Sequence, residues 1–157
     1  MKLQLWSIGK SHEDHVKEGI HLFTGRLKHY TDFELRIIAP PKNAGRLTAS
    51  ELRKKEATLI LEQLREGDFL IALDEKGNEF TTLQLADFLQ QKTNAGVKRL
   101  VFLIGGAYGL DESIFKRAQQ KISLSRLTFP HQLVRLIVTE QLYRACTILQ
   151  NEKYHHQ

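Results

Sequence analysis

Short apolar runs alternate with longer stretches of helical periodicity along the chain, which predicts an α/β fold on a largely parallel sheet. Leu3 to Ile8 reads as a first strand closed by Gly9; His12 to Tyr30 reads as an amphipathic helix with Val16, Ile20, Phe23 and Leu27 on one face. Phe33 to Ala39 is a second strand, stopped by Pro40-Pro41. Thr48, with Glu51 on the next turn, has the spacing of a capping box and opens a helix running to about Arg65. Phe69 to Leu73 and Leu100 to Ile104 are unbroken apolar runs, as in strands covered on both faces. Asp74-Glu75-Lys76-Gly77-Asn78 reads as a turn before a helix over Leu83 to Gln91. After the fourth strand come Gly105-Gly106-Ala107-Tyr108-Gly109, a short helix capped by Asp111, a brief fifth strand over Ile122 to Leu124, and a last helix over Leu133 to Gln150. A polar tail, Tyr154-His155-His156-Gln157, closes the chain. With no repeat, low-complexity segment or linker, residues 1–157 read as one domain.

Composition narrows the class. A chain of 157 residues buries a core without staples. Its one cysteine, Cys146, excludes an intrachain disulfide and a multi-cysteine metal site, and reads as core filler. The apolar runs are far too short for a membrane span, and the first residues are too mixed for a secretory leader; the expectation is a cytoplasmic protein. The 23 Lys and Arg against 18 Asp and Glu leave a net charge of +5, which favours a polyanionic partner. Lys42, Arg46, Arg53, Lys54 and Lys55 gather in and behind the loop after the second strand. They read equally as a solvated face or as phosphate contacts.

In open parallel sheets, ligands bind where loops leave the carboxyl ends of the strands, here after Leu73, Ile104 and Leu124. The glycines from Gly105 to Gly109 admit either a plain tight turn or the close approach of a ligand. They lack the spacing of a dinucleotide fingerprint. Ser123 to Phe129 offers small hydroxyls and free backbone groups, which suits adenosine. Pro130 is well placed to start the last helix, with His131 and Arg135 one turn apart on it. His131 admits both a structural and a catalytic reading. The last helix is apolar nearly all round, which points to a subunit interface, while Glu140 and Arg144 have the spacing of an ion pair. No histidine and carboxylate spacing suits a metal; there is no phosphate-binding loop and no nucleophile elbow.

Four segments together carry a family resemblance: Leu103-Ile104-Gly105-Gly106 with Gly109, Ser123-Leu124-Ser125 through Pro130-His131 to Arg135, Glu140 to Ala145, and Asn151 with Tyr154-His155. The chain resembles the SPOUT-superfamily RNA methyltransferases, and within them the large-subunit ribosomal RNA methyltransferase H family, from end to end. The resemblance implies a carboxyl-terminal trefoil knot, an exception to the rule that chains do not thread, and a homodimer. It implies S-adenosylmethionine held by Leu73, Gly105, Gly106, Leu124, Ser125, Arg126, Leu127, Thr128 and Phe129. It also implies methylation at N3 of a pseudouridine in 23S ribosomal RNA of the assembled ribosome, without a metal. The chemistry then needs a group to take the N3 proton, for which His131 and His155 are candidates. Arg135 would stabilise charge on the base carbonyls, and Tyr154 would stack on a flipped base, with the tail ordered against the partner subunit. A non-catalytic RNA-binding or ribosome-assembly factor is the alternative on the same basic surface.

Overall fold

A computed structural model describes residues 1–156; Gln157, the end of the tail, lies outside them. Five parallel strands, β1 (Lys2–Ile8), β2 (Asp32–Ile38), β3 (Asp68–Glu79), β4 (Arg99–Ile104) and β5 (Gln120–Ser123), lie in the order β2-β1-β4-β3-β5. Parallel strands need covered crossovers, and five helices supply them: α1 (Asp14–Leu27), α2 (Ala49–Leu61), α3 (Thr82–Asn94), α4 (Glu112–Arg117) and α5 (His131–Leu149). The expected parallel α/β sheet is therefore the architecture observed.

Side chains of the central strands alternate between two cores. Leu3, Leu5, Leu100, Phe102 and Ile104 face the larger core under α3 and α5, while Trp6, Ile8, Val101 and Leu103 face the smaller one with Ala57, Ile60 and Ile114. Both faces being covered, β1 and β4 are almost wholly buried. At the amino-terminal edge, Asp68 is buried and ion-paired to Arg99, whose Nε also donates to Asp68 Oδ1 at 2.6 Å. Thr48 caps α2 in the expected box with Glu51, and Thr81 makes a second box with Gln84.

The third strand departs from expectation. Asp74 to Asn78 is not a simple turn: β3 runs on to Glu79, pairing with β5 on both sides of an irregularity. Leu73 and Asn78 both register with Ile122, so residues 74–77 bulge out and the strand rejoins the same neighbour. A polar extension of this kind is invisible to hydrophobic patterning, because its pairing is dictated by β5. Gly77 makes the double pairing possible: a Cβ there would stand 2.5 Å from the Ile122 carbonyl carbon and 2.7 Å from its nitrogen.

After β5 the chain crosses to α5, which packs between α1 and α3. Among the described residues, no helix is long and apolar enough to cross a membrane. Because Gly77 meets fixed backbone, Gly77→Ala is expected to cost about 1–3 kcal/mol through overpacking. Urea unfolding checks it: an unchanged midpoint would mean the two segments separate freely.

Candidate active site

Leu73, Ile104 and Ser123 end neighbouring parallel runs at the same side of the sheet. The loops leaving them enclose a cavity of about 720 Å³, the size of a small-molecule site. The glycine loop forms one wall. Gly109 N donates to Gly106 O at 3.0 Å, closing a tight turn that projects Ala107 and Tyr108. Side chains are excluded here by contact: a Cβ on Gly105 would stand 2.9 Å from Leu110 Cγ and 3.0 Å from the Gly109 carbonyl carbon. The opposite wall comes from the loop after β5. Ser123 Oγ donates to Ser125 O, and Leu127 N donates to Ser125 Oγ, each at 3.0 Å, so the hydroxyls hold the loop's own backbone. Leu127 remains largely exposed, a loop side chain with no core to enter.

A second, more apolar cavity of about 590 Å³ lies on the other side of Leu73 and Leu124, which line both. Phe80 to Leu83, Ile122, Ile137, Gln141 and His155 contribute to it. Thr82 Oγ1 donates to Gln141 Oε1 at 2.9 Å. His155 Nδ1 is buried here without a hydrogen-bond partner among the described residues.

The tail carrying His155 is ordered on its own chain. Tyr154 packs edge-on to Tyr143 at 4.7 Å between ring centroids, lies under the Arg144 guanidinium, and donates from its hydroxyl to Glu140 Oε1 at 3.1 Å. Arg144 closes the expected pair with Glu140, its Nη2 donating at 2.6 Å. Upstream, the Tyr30 hydroxyl donates to Glu152 at 2.7 Å, which pushes the phenol up to about 12.

The match to known proteins follows this layout. Residues 1–155 match the family described as Predicted SPOUT methyltransferase. The chain belongs to the SPOUT methyltransferases. A relative from Cytophaga hutchinsonii, named Ribosomal RNA large subunit methyltransferase H, is 52% identical across 99% of this chain and 100% of its own length. One of the same name from Parabacteroides distasonis is 48% identical with both chains fully covered. The crystal structure of a probable methyltransferase from Bordetella pertussis superposes with a TM-score of 0.57 over 92% of this chain and 96% of that one. At 12% identity it speaks for the fold alone.

In this SPOUT methyltransferase, eight of the nine residues expected at the cofactor line the first cavity: Leu73, Gly105, Gly106, Leu124, Ser125, Leu127, Thr128 and Phe129. The ninth, Arg126, lines neither cavity; it points into solvent toward Glu79, 3.6 Å away. His131 lines the first cavity and His155 the second, so the two proton-acceptor candidates stand in separate chambers. Within this chain Tyr154 packs against Tyr143 and donates to Glu140.

Arg135 shares a helix with His131 but not its surroundings. It lines neither cavity and is 1% exposed. Its Nε donates to Ser7 Oγ and its Nη1 to Lys10 O, both at 2.8 Å, with His12 Nδ1 3.4 Å from Nη1. The guanidinium thus fastens the start of α5 to the end of β1, a long-range tie that sequence spacing cannot reveal. Its neighbour Thr139 donates back to Arg135 O at 2.7 Å.

For His12 to accept from Arg135, the facing ring nitrogen must be unprotonated. Burial, then repulsion from Arg135 and Lys17, holds the ring below its usual value. The unfolded chain, titrating near 6.5, therefore takes up the proton first as pH falls. Stability from this site is complete above about pH 6.5 and declines as pH drops toward the lower folded value. His12→Asn is expected to flatten that decline in urea midpoints measured between pH 7.5 and 5.5; an identical slope in the variant would assign it elsewhere.

Proposed function

We propose that the chain methylates ribosomal RNA of the large subunit with S-adenosylmethionine, at N3 of a pseudouridine in 23S RNA of the assembled ribosome. The observation that carries this reading is the first cavity: glycine backbone on one wall, hydroxyl-braced backbone on the other, at the carboxyl ends of three adjacent parallel strands. The Cβ clashes at Gly105 and Gly106 mark walls where only backbone is tolerated, which fits a ligand held by main-chain groups. Full-length relatives named for ribosomal RNA methylation supply the substrate class.

When bound, S-adenosylmethionine supplies a methyl group activated by positive sulfur, so no metal is needed. Residues of this chain would have to hold the pseudouridine with N3 toward that methyl and take up the N3 proton as nitrogen becomes methylated. Two rings are placed for that proton. His155 Nδ1 is partnerless behind Leu73 and Leu124, and His131 stands on the cavity wall. We favour His155, because Tyr154, Glu140 and Arg144 fix the tail that carries it. Arg135 acts on the reaction by fixing α5, and Tyr154 by fixing the tail. The exposed Lys42, Arg46, Lys54 and Lys55, with the half-buried Arg53, meet RNA phosphates; Arg53 also reaches the glycine loop, its Nη1 3.4 Å from Tyr108 O.

The same reading includes a knotted carboxyl-terminal part, a homodimer and a cytoplasmic location. The knot is supported by β5 pairing twice along β3 before the chain crosses to α5. The dimer is supported by apolar surface left on α5 and beside it, at Leu133, Leu124 and Leu127.

The decisive measurement is mass spectrometry of 23S RNA from cells lacking the gene. The added methyl should be missing from that RNA and return when the chain is supplied with S-adenosylmethionine and ribosomes. Unmethylated ribosomes after incubation would leave the non-catalytic RNA-binding role. His155→Ala is expected to slow turnover about 100-fold, in the range of general-base losses, with donor affinity unchanged by calorimetry; unimpaired turnover would pass the role to His131.

A further inference from the structure

Glu56 has no part in the scheme above, and its placement demands an explanation. It lies on the face of α2 that runs through Leu52 and Ile60, all buried, and is itself 6% exposed. A Cβ on Gly106 would stand 2.5 and 2.6 Å from its two carboxyl oxygens. The carboxyl is therefore packed on Gly106, and Gly106 lines the first cavity. One thickness of backbone separates this acid from the cavity.

Among the described residues, no cation is paired with it. Burial pushes its carboxyl above the usual value, and no cation or hydrogen bond opposes that shift. The charged groups of the surrounding elements are engaged elsewhere. On α2, Arg53 reaches Tyr108 O, and Arg53 and Lys54 both act on Asp111. At the start of α4, Asp111 accepts from Ser113, and Glu112 lines the cavity. The end of β4 behind the loop carries only Leu103 and Ile104. Burial disfavours the charged form of this carboxyl, and a cation in the adjoining space would favour it again. The adjoining space open to a new partner is the cavity in front of Gly106.

Resting on the methyl-donor reading, we propose that Glu56 is a charge-selecting positioning residue: its carboxylate, set behind Gly106, makes the cavity prefer a sulfonium over the neutral thioether left after transfer. The two ligands differ by one methyl and one positive charge, and the methyl offers little to discriminate. A fixed negative charge in a low-dielectric wall acts on the cation through the backbone and leaves the neutral product alone. The other charged side chains lining the cavity, the acids Asp74, Glu75 and Glu112 and the cations Lys76 and Lys121, are half-buried or exposed, so solvent screens them and their opposite signs offset. The same charge that favours donor entry gives the spent product no added hold.

Calorimetry on the full-length protein tests this with S-adenosylmethionine and S-adenosylhomocysteine titrated separately. Glu56→Gln keeps the shape and removes the charge. It is expected to weaken the sulfonium about tenfold, the scale of one charge pair several ångströms apart in a protein, and to leave the thioether within about twofold. Glu56→Asp, which withdraws the charge by one methylene, should lose less. If the Gln variant fails to fold, the Asp variant carries the comparison with a smaller drop in the affinity ratio. Equal losses for both ligands, or an unchanged ratio, would overturn the proposal and leave Glu56 a packing residue under the loop. Failure of S-adenosylmethionine to bind the unaltered protein would instead remove the methyl-donor reading, and this one with it.

Discussion

Much of the molecule hangs on the backbone-to-backbone approach of Gly77 to Ile122. Without it, β3 could not leave β5 after Leu73 and return to it at Asn78. That return sets Leu73 and Leu124 side by side as the partition between the two cavities and delivers Phe80 to Leu83 as a wall of the second. Position 77 tolerates no side chain because what it would strike is main chain, which cannot rotate away. The chamber walls are thus set by strand pairing, the most rigid kind of contact the fold offers, and their loops have little freedom left.

Under the proposed methyl transfer, the two chambers would divide the chemistry. One is walled by backbone and hydroxyls, suited to a polar, charged molecule of moderate size; the other is mainly apolar and ends on an imidazole nitrogen with no partner. A two-substrate transfer needs adjoining places for both reactants and exclusion of water between them. The leucine partition supplies the adjacency. Electrostatics bear on the polar chamber too: Glu56 lies buried behind its glycine wall, while Lys76 and Lys121 stand on its lining with Asp74, Glu75 and Glu112.

How much of this was legible beforehand depended on the range of the interaction. Local rules found the β1 and β4 runs, the Thr48 box, the Asp111 cap and the Glu140–Arg144 pair, because each is decided within about one helical turn or one strand. Family likeness, more than patterning, located eight lining residues. Interactions decided far along the chain stayed hidden. The polar extension of β3 has no hydrophobic period to announce it, and Arg135 looks like a companion of His131 until β1 arrives beside it. Glu56 was discoverable: it falls midway between Leu52 and Ile60 on the buried stripe of α2, where an acid is out of place.

The tie between Arg135 and Ser7 spans 128 positions of sequence. Contacts of such separation form late, because loop closure is resisted by entropy until both ends exist. A chain still emerging from synthesis has β1 to β4 but lacks the helix that locks β1 and bears His131. Nascent polypeptides stalled before the last helix would therefore be incomplete in their first strand's anchoring as well as in their chemistry. The anchoring of the first strand is complete only once the last helix has been made.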